Sequence, residues 1–214
     1  CSPSNPSGSI FLEMAALAKL LAKNKIWLLS DEVYGELVFS GGYKPAALSH
    51  SNIISVNAFS KSHALTGWRI GWLATTDKKA RERCLVAHQY IATCASVPAQ
   101  RLVEAMFQET ALYEKIIRNF RDEYHKKSNN FLENFSGESP GWKAPKAGFY
   151  FFLPLPGAEK SSTKFCKKIL DKENILLVPG DFFGARGKGF FRLSYSAASE
   201  QLIIAAKKLS GYYS

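Results

Sequence analysis

Hydrophobic positions in the first part of the chain follow a helical period and then form short continuous runs. The first helix is predicted to begin near Ser9, and its apolar face is formed by Ile10, Met14, Leu17 and Leu21. Apolar runs follow at residues 26–29, 53–56 and 70–75. Runs of this length are typical of strands buried on both faces, so we expect a largely parallel sheet in an α/β layer.

The second part of the chain has a different pattern. From about Lys78 the periodicity is helical as far as residue 135, with an interruption near Pro98 and one long helix from Leu112 to Phe135. The remaining segment predicts a strand, a helix, two strands and a final helix, at residues 149–155, 161–172, 175–178, 189–196 and 200–209. This order indicates an α+β unit, so we place a domain boundary near Ala111, between domains 1–110 and 111–214.

Composition and charge narrow the class of protein. The chain has 214 residues, of which 46% are hydrophobic and 21% charged, as in a packed globular protein. Its 28 Lys and Arg against 18 Asp and Glu give a net charge of +10, which could favour a polyanion. The lysines of the predicted helix 161–172, however, lie opposite its apolar residues, as on a solvated face, and no nucleic-acid recognition motif accompanies them. We therefore expect no nucleic-acid partner.

Cysteine usage and hydropathy indicate a reducing compartment. The four cysteines show no CxxC spacing, and none lies near a histidine at metal-ligand spacing, which predicts neither a disulfide framework nor a metal site. The longest apolar run, at residues 147–155, is too short to span a bilayer. We expect a cytoplasmic protein with free thiols and no membrane partner.

A lysine follows the second predicted strand, in the segment NAFSKSHALTGWRIGW. Lys61 lies between Ser60 and Ser62, before glycines that let backbones approach closely. One interpretation is an exposed cation, which is the usual state of a lysine. The other is a desolvated amine that forms a Schiff base with a carbonyl. Ligands bind at the carboxyl ends of strands in such sheets, and Asp31, after the first strand, is expected to face the same crevice.

Two charged residues near these strand ends have two interpretations each. Arg69, between Trp68 and Ile70, is either a structural arginine paired with a carboxylate or a partly buried guanidinium that binds a phosphate. Asp31, in LLSDEVYGE, is either the cap of a turn or a buried acid that keeps a cationic partner ionised. Glu32, at the next position, is expected to point away into solvent.

Three further segments carry polar candidates. Asn5, in SNPSG, is compatible with a simple turn. Arg192, in FFRLSYS, is either a surface charge on an edge strand or a fork for a carboxylate directed into a cleft. The segment 180–189, GDFFGARGKG, is rich in glycine but has no Ser or Thr after its Gly-Lys pair, so the phosphate-loop motif is absent.

The ordered set NPSG, SDEVY, FSK, TGWRIGW and FRLSYS resembles the class I/II aminotransferases, the fold-type I family that uses pyridoxal 5′-phosphate. The resemblance extends over nearly the whole chain and is greatest to the aspartate and aromatic amino-acid branch. It implies that residues 1–110 are part of the large cofactor-binding domain and that residues 111–214 form the small C-terminal domain. It also implies amino transfer between an α-amino acid and a 2-oxo acid such as 2-oxoglutarate, in a homodimer.

The resemblance implies a role for each candidate residue. Lys61 would carry the cofactor as a Schiff base and then move the proton at the substrate α-carbon. Asp31 would pair with the pyridine nitrogen, which keeps the ring able to accept electrons. The other implied contacts are the ring 3′ oxygen for Tyr34 and Asn5, the phosphate for Arg69, and the substrate α-carboxylate for Arg192.

Two departures from the family pattern bear on these roles. Family members often have a serine three positions before the lysine that helps to hold the phosphate, whereas this chain has Ala58, with Ser60 as the nearest replacement. They also carry a further half-chain before the NPSG motif. We therefore expect either another polypeptide that supplies this N-terminal segment or a truncated chain.

Three alternatives to an aminotransferase are compatible with the sequence. A pyridoxal-phosphate-dependent β-lyase of the same fold shares these motifs and would release pyruvate from cystathionine or cysteine. A truncated paralogue would act as a binding or regulatory module, or would be an inactive fragment. A polyanion-binding protein would shift DNA in a salt-sensitive manner.

Overall fold

The computed structural model of the protein describes residues 1–46, 49–137, 142–157 and 159–213. These residues form two compact units. Unit 1 contains Cys1–Pro3 and Ile10–Arg121, and unit 2 contains Ser4–Ser9 and Asp122–Ser214. Both units combine helices with a small sheet, which confirms the predicted α/β class.

Unit 1 begins with a helix and a three-stranded sheet. The helix is α1 (Met14–Lys23), and the strands are β1 (Leu28–Asp31), β2 (Ile53–Ala58) and β3 (Gly71–Ala74). The strands lie in the order β1-β2-β3, with β1 parallel to β2 and β2 antiparallel to β3. One side of the sheet shares a buried cluster with α1, formed by Met14, Ala18, Leu28, Ala46 and Ile53.

β3 runs antiparallel to β2, and the connection between them contains no full helix. A parallel crossover needs a dozen or more residues, usually including a full helix. Here the chain forms only the four-residue helix α2 (Phe59–Ser62) and a 3₁₀ turn at Thr66–Trp68. The returning strand lies very close to β2, since a Cβ on Gly71 would be 2.5 Å from the carbonyl oxygen of Asn57. The sheet of unit 1 is therefore mixed within the described residues.

The expectation that the strands of unit 1 are buried on both faces is wrong for the described chain. Leu29 in β1 is 66% exposed, and Trp72 in β3 is 41% exposed. By contrast, Ile53 and Ser55 in β2 have no exposed surface. A continuous apolar run indicates that a strand avoids water, but the burial of each face depends on what packs against it.

Three longer helices follow the sheet: α3 (Lys78–Ala92), α4 (Val97–Gln108) and α5 (Thr110–Glu133). They confirm the predicted helical segment and its interruption near Pro98, which lies in the first turn of α4, where its missing N–H is not needed. α5 continues through the division between the two units. The predicted domain boundary near Ala111 lies at the start of this helix and stays a prediction.

None of the described helices combines the length and the hydropathy that a membrane span needs.

Unit 2 is an α+β unit with an aromatic core. Its elements after α5 are β4 (Tyr150–Pro154), α6 (Ser162–Glu173), β5 (Val178–Pro179), β6 (Phe190–Ser194) and α7 (Ser199–Ser210). β6 is the central strand and is antiparallel to both β4 and β5. The largest side chains without exposed surface are Phe131, Phe151, Phe165, Phe191 and Tyr195.

The apolar run at residues 175–178 forms less strand than predicted. Only Val178 of this run belongs to β5, and Leu176 is 76% exposed. β5 pairs with β6 through Val178 opposite Arg192 and Pro179 opposite Phe191. Because Pro179 has no N–H, it cannot donate a hydrogen bond to β6.

Candidate functional site

The turn after β2 carries the candidate lysine. β1 and β2 are parallel, with Asp31 beside Val56, so both strands run toward the same edge of the sheet. β2 continues to Ala58 and leads directly into α2, which carries Ser60 and Lys61. The structure therefore places Asp31 and Lys61 at the carboxyl edge of these two strands, where ligands bind in α/β sheets.

The side chain of Lys61 is half-buried, unlike an ordinary surface cation. Among the residues that the structure describes, its amine has no hydrogen-bond acceptor and no carboxylate partner. An amine that is partly withdrawn from water and bound to no acceptor is available for covalent chemistry with a carbonyl. The environment of Lys61 is therefore compatible with the Schiff-base interpretation.

Asp31 caps the turn that follows β1. Its Oδ1 accepts a hydrogen bond from the backbone N–H of Val33 at 3.3 Å, and its carbonyl oxygen accepts one from the N–H of Ser2 at 2.9 Å. The Asp31 side chain is half-buried, and Tyr34, in the same turn, is 4% exposed. The turn cap, one of the two interpretations of Asp31, is therefore present. It engages one carboxylate oxygen and is compatible with a second role for this residue.

Glu32 is buried, with 1% of its surface exposed, so the expectation that it points into solvent is wrong. Its carboxylate accepts hydrogen bonds from Tyr43 Oη at 2.9 Å, the Ala46 N–H at 3.0 Å and Ser55 Oγ at 2.7 Å. These donors replace the water that a carboxylate loses on burial. Burial, with Glu32 as the next cause, raises the pKa of the Tyr43 phenol.

The contacts of Glu32 connect elements that are distant in sequence. Ser55 lies on β2, whereas Tyr43 and Ala46 belong to the segment between β1 and β2. Through these hydrogen bonds Glu32 connects Tyr43 and Ala46 to the sheet and stabilises the turn that contains Asp31. A local pattern could not reveal this role, because none of the three donors is near Glu32 along the chain.

Arg69 is exposed, so the partial burial expected from its apolar neighbours is wrong. Of these neighbours, Ile70 is 8% exposed but Trp68 is 45% exposed. Arg69 has a left-handed backbone with φ of 51°, which costs about 1 to 2 kcal/mol for a residue with a Cβ. Non-glycine residues in this conformation are enriched at functional sites.

Thr66, to which no motif in the sequence assigns a role, connects the turn of Arg69 with α2. Nη1 of Arg69 donates to the carbonyl oxygen of Thr66 at 3.0 Å. The Thr66 hydroxyl in turn donates to the carbonyl oxygen of Ser60 at 2.9 Å. The backbone positions of two candidate phosphate ligands, Arg69 and Ser60, are therefore linked through one threonine.

A buried histidine follows shortly after Lys61. His63 is 7% exposed, its Nδ1 is 2.8 Å from Ser62 Oγ, and its Nε2 has no hydrogen-bond partner within the described ranges. Its ring packs against Phe59 and Tyr113, with ring centroids 4.9 Å and 5.3 Å away. The imidazole borders a cavity of about 240 Å³ that Glu36 also lines. Burial lowers the pKa of His63 from 6.5 to about 4, so the ring is neutral at pH 7.

The low pKa of His63 predicts a loss of stability in mild acid. The unfolded chain protonates this imidazole near pH 6.5, whereas the folded chain resists protonation down to about pH 4. The contribution of His63 is therefore complete above pH 6.5 and declines as the pH falls toward 4, by about 3 kcal/mol of unfolding free energy. Urea unfolding at pH 7 and pH 4 should show this loss in the wild type and a smaller loss in His63→Phe.

The matched control for this measurement is His88→Phe, which replaces an exposed imidazole on α3. Its stability should depend on pH as that of the wild type does. If His63→Phe lost as much stability between pH 7 and pH 4 as the wild type, another group would be responsible.

In unit 2, the structure brings Asn5 and Arg192 together. Arg192 lies on the central strand β6, which excludes the interpretation as an edge-strand charge. Its half-buried side chain donates from Nη1 to Asn5 Oδ1 at 2.9 Å. Asn5 belongs to a closed turn in which the Gly8 N–H donates to the carbonyl oxygen of Ser4. Asn5 therefore combines a turn position with a side-chain contact to Arg192.

Comparison with known proteins gives one consistent result. The family model described as "Aminotransferase class I and II" matches residues 1–209. An aspartate aminotransferase of Pyrococcus horikoshii is 30% identical over 97% of this chain and 54% of its own length. Aromatic-amino-acid aminotransferase 2 of Thermococcus litoralis is 29% identical over 94% of this chain and 53% of its own length.

The solved structure of an aromatic aminotransferase from Pyrococcus horikoshii has the same fold over the matched part. The TM-score is 0.89 at 28% identity, and the match covers 98% of this chain and 57% of that chain. This chain thus spans about half the length of the curated relatives that it matches.

Proposed function

The chain belongs to the class I and II aminotransferase family, and from this premise we propose that it acts in amino transfer that depends on pyridoxal 5′-phosphate. The reaction would move an amino group from an α-amino acid to a 2-oxo acid. The observation that carries the proposal is the half-buried amine of Lys61, which lacks a partner among the described residues and lies at the same sheet edge as Asp31.

Unit 1 contains side chains that are chemically complementary to the polar groups of this cofactor. Its aldehyde, ring nitrogen, ring 3′ oxygen and phosphate are complementary to an amine, a carboxylate, a phenol and a guanidinium. These four groups belong to Lys61, Asp31, Tyr34 and Arg69, which lie at the end of β1 or in the segments that follow β1 and β2. When bound, the cofactor supplies an electron-accepting ring that stabilises negative charge at the substrate α-carbon. We assign Ser60 to the phosphate as well, because Ala58 has no hydroxyl.

Lys61 would first bind the cofactor covalently and then move a proton at the substrate α-carbon. A lysine amine can do both, because it is a nucleophile toward aldehydes and, once released, a base. The carboxylate of Asp31 would hold a proton on the ring nitrogen. Its half-buried position favours this role, because opposite charges attract more strongly away from bulk water.

Arg192 would bind the α-carboxylate of the amino acid. Nη1 of its guanidinium already donates to Asn5, and its Nε and Nη2 form a second donor edge that suits a planar carboxylate. Asn5 would also contact the ring 3′ oxygen of the cofactor. Relatives named as aspartate and aromatic-amino-acid aminotransferases support these two classes of substrate. We propose 2-oxoglutarate as the amino acceptor.

We also propose that the protein is a cytoplasmic homodimer. The free thiols of all four cysteines support a reducing compartment. Large exposed apolar side chains, among them Leu29, Tyr90 and Ile91, support burial against a second polypeptide. Sedimentation equilibrium would measure the assembly, and a mass equal to the 23.8 kDa of one chain would contradict a homodimer.

The proposed function is tested by trapping the cofactor on its lysine. The purified chain is mixed with pyridoxal 5′-phosphate, reduced with borohydride and digested, and the pyridoxyl group is located by peptide mass. We expect the group on Lys61 and not on an exposed lysine such as Lys19. No adduct, or an adduct spread over exposed lysines, would contradict the proposal.

A second assay identifies the reaction. Amino transfer from aspartate or phenylalanine to 2-oxoglutarate is expected of the loaded protein. Release of pyruvate from cystathionine without amino transfer would instead identify a β-lyase.

A further inference from the structure

The guanidinium of Arg192 lies over the faces of two aromatic rings in unit 2. Its Cζ is 4.3 Å from the ring centroid of Tyr150 and 4.9 Å from that of Phe183. Contacts of this geometry are attractive because a cation faces the negative side of an aromatic ring. Tyr150 begins β4, the neighbour of β6, whereas Phe183 belongs to segment 180–189, to which the proposed function gives no role.

The glycines of segment 180–189 set the position of Phe183. A Cβ on Gly180 would lie 2.2 Å from the carbonyl oxygen of Gly187, and one on Gly187 would lie 2.0 Å from that of Gly180. Gly184 has φ of 99°, and its N–H donates to the carbonyl oxygen of Asp181. Side chains would not fit at the first two positions, and the third needs a backbone conformation that glycine adopts readily. The backbone of this segment is therefore tightly folded, which fixes the position from which the Phe183 side chain extends.

The two phenylalanines of this segment have different environments. Phe182 is 74% exposed. Phe183 packs edge-on against Phe152, with ring centroids 5.8 Å apart, and Phe152 is paired with Arg192 between β4 and β6. The rings of Phe152 and Phe183 thus hold each other beside the strand position of Arg192.

We infer that Phe183 is a positioning residue that holds the Arg192 guanidinium in the orientation in which it binds a carboxylate. The inference rests on the proposed function, in which Arg192 binds the substrate α-carboxylate. Asn5 accepts from Nη1, the guanidinium Cζ lies over the rings of Tyr150 and Phe183, and no described residue accepts from Nε or Nη2. A planar carboxylate binds that edge with two parallel hydrogen bonds only if the guanidinium plane is fixed.

The test compares the wild type with three variants at Phe182 and Phe183. Phe183→Leu keeps an apolar side chain of similar reach but has no aromatic face, whereas Phe183→Tyr keeps the face. Phe182→Leu makes the same change at the neighbouring exposed ring and is the matched control. Comparing these variants separates the ring–cation contact from general packing.

The measurement is the modification of Arg192 by phenylglyoxal, followed by peptide mass, with and without succinate as a carboxylate probe. No cofactor is added. Succinate is expected to protect Arg192 in the wild type, in Phe183→Tyr and in Phe182→Leu. In Phe183→Leu the succinate concentration needed for half-protection should rise about tenfold, which corresponds to the loss of one partly desolvated cation–π contact.

Several outcomes would overturn the inference. These are unchanged protection in Phe183→Leu, an equal loss in Phe182→Leu or Phe183→Tyr, and a wild type that succinate does not protect. Because the measurement needs no cofactor, it is separate from trapping at Lys61. An adduct on Lys61 with unchanged protection in Phe183→Leu would refute the positioning role alone. Protection that depends on Phe183, without an adduct on Lys61, would refute the proposed function alone.

Discussion

Replacement of Lys61 with alanine is expected to abolish amino transfer, lowering kcat by about 10,000-fold or more. The lysine amine is the proposed group both for cofactor attachment and for proton movement, and the hydroxyls beside it can do neither at neutral pH. The fold should survive, because Lys61 has no hydrogen-bond or ion-pair partner among the described residues. We expect the free energy of unfolding to change by less than about 0.5 kcal/mol. Amino transfer to 2-oxoglutarate and urea unfolding measure the two effects.

Two further variants identify which property of Lys61 is needed. Lys61→Arg keeps the positive charge but cannot act as a base, so it should be as inactive as Lys61→Ala. Lys78→Ala removes an exposed amine at the start of α3 and should leave kcat unchanged. Substantial activity in Lys61→Arg would mean that the charge, not the amine, is required, and the covalent role would be wrong.

Replacement of Glu32 with alanine is expected to lower the free energy of unfolding by about 4 kcal/mol. The change leaves two buried donors, the Ala46 N–H and Ser55 Oγ, and the half-buried Tyr43 Oη without their acceptor. The turn that carries Asp31 should loosen as well, so cofactor affinity should fall with stability. Urea unfolding followed by tryptophan fluorescence reports mainly on unit 1, which contains Trp27, Trp68 and Trp72.

Milder variants test whether the hydrogen bonds of Glu32 are the cause. In Glu32→Gln the amide oxygen can still accept two of these bonds, and the Tyr43 hydroxyl can accept from the amide NH₂. We therefore expect a loss of about 1 to 2 kcal/mol. Glu36→Gln changes an exposed carboxylate in the same region and should be close to neutral. Equal stability of Glu32→Ala and Glu36→Gln would show that the buried network does not stabilise unit 1.

The helices and most strands could be predicted because their patterns are local. The long helix predicted from Leu112 to Phe135 is found at Thr110–Glu133, and the helical segment is interrupted near Pro98 as expected. The period of a helix and the effect of a proline act over a few neighbouring residues. The run at 175–178 failed as a strand because strand formation also needs a partner edge, and only Val178 has one.

The candidate site was predictable only in part. Asn5 and Arg192 were identified separately from their motifs, but their hydrogen bond joins residues at opposite ends of the chain. The burial of Glu32 and the exposure of Arg69 were both predicted incorrectly. In each case the burial of the side chain depends on which parts of the folded chain pack around it, and the neighbouring residues in the sequence do not determine this packing.

The order of the motifs and the chemistry of their side chains were enough to identify the family and the candidate reactive groups. These properties depend on residue type and on spacing along the chain, which a sequence contains in full. The direction of β3, the exposed face of β1, the donors around Glu32 and the rings beside Arg192 could be learned only from the folded chain. Burial, pairing and hydrogen bonding join positions that are distant in sequence, so they become defined only when the chain folds.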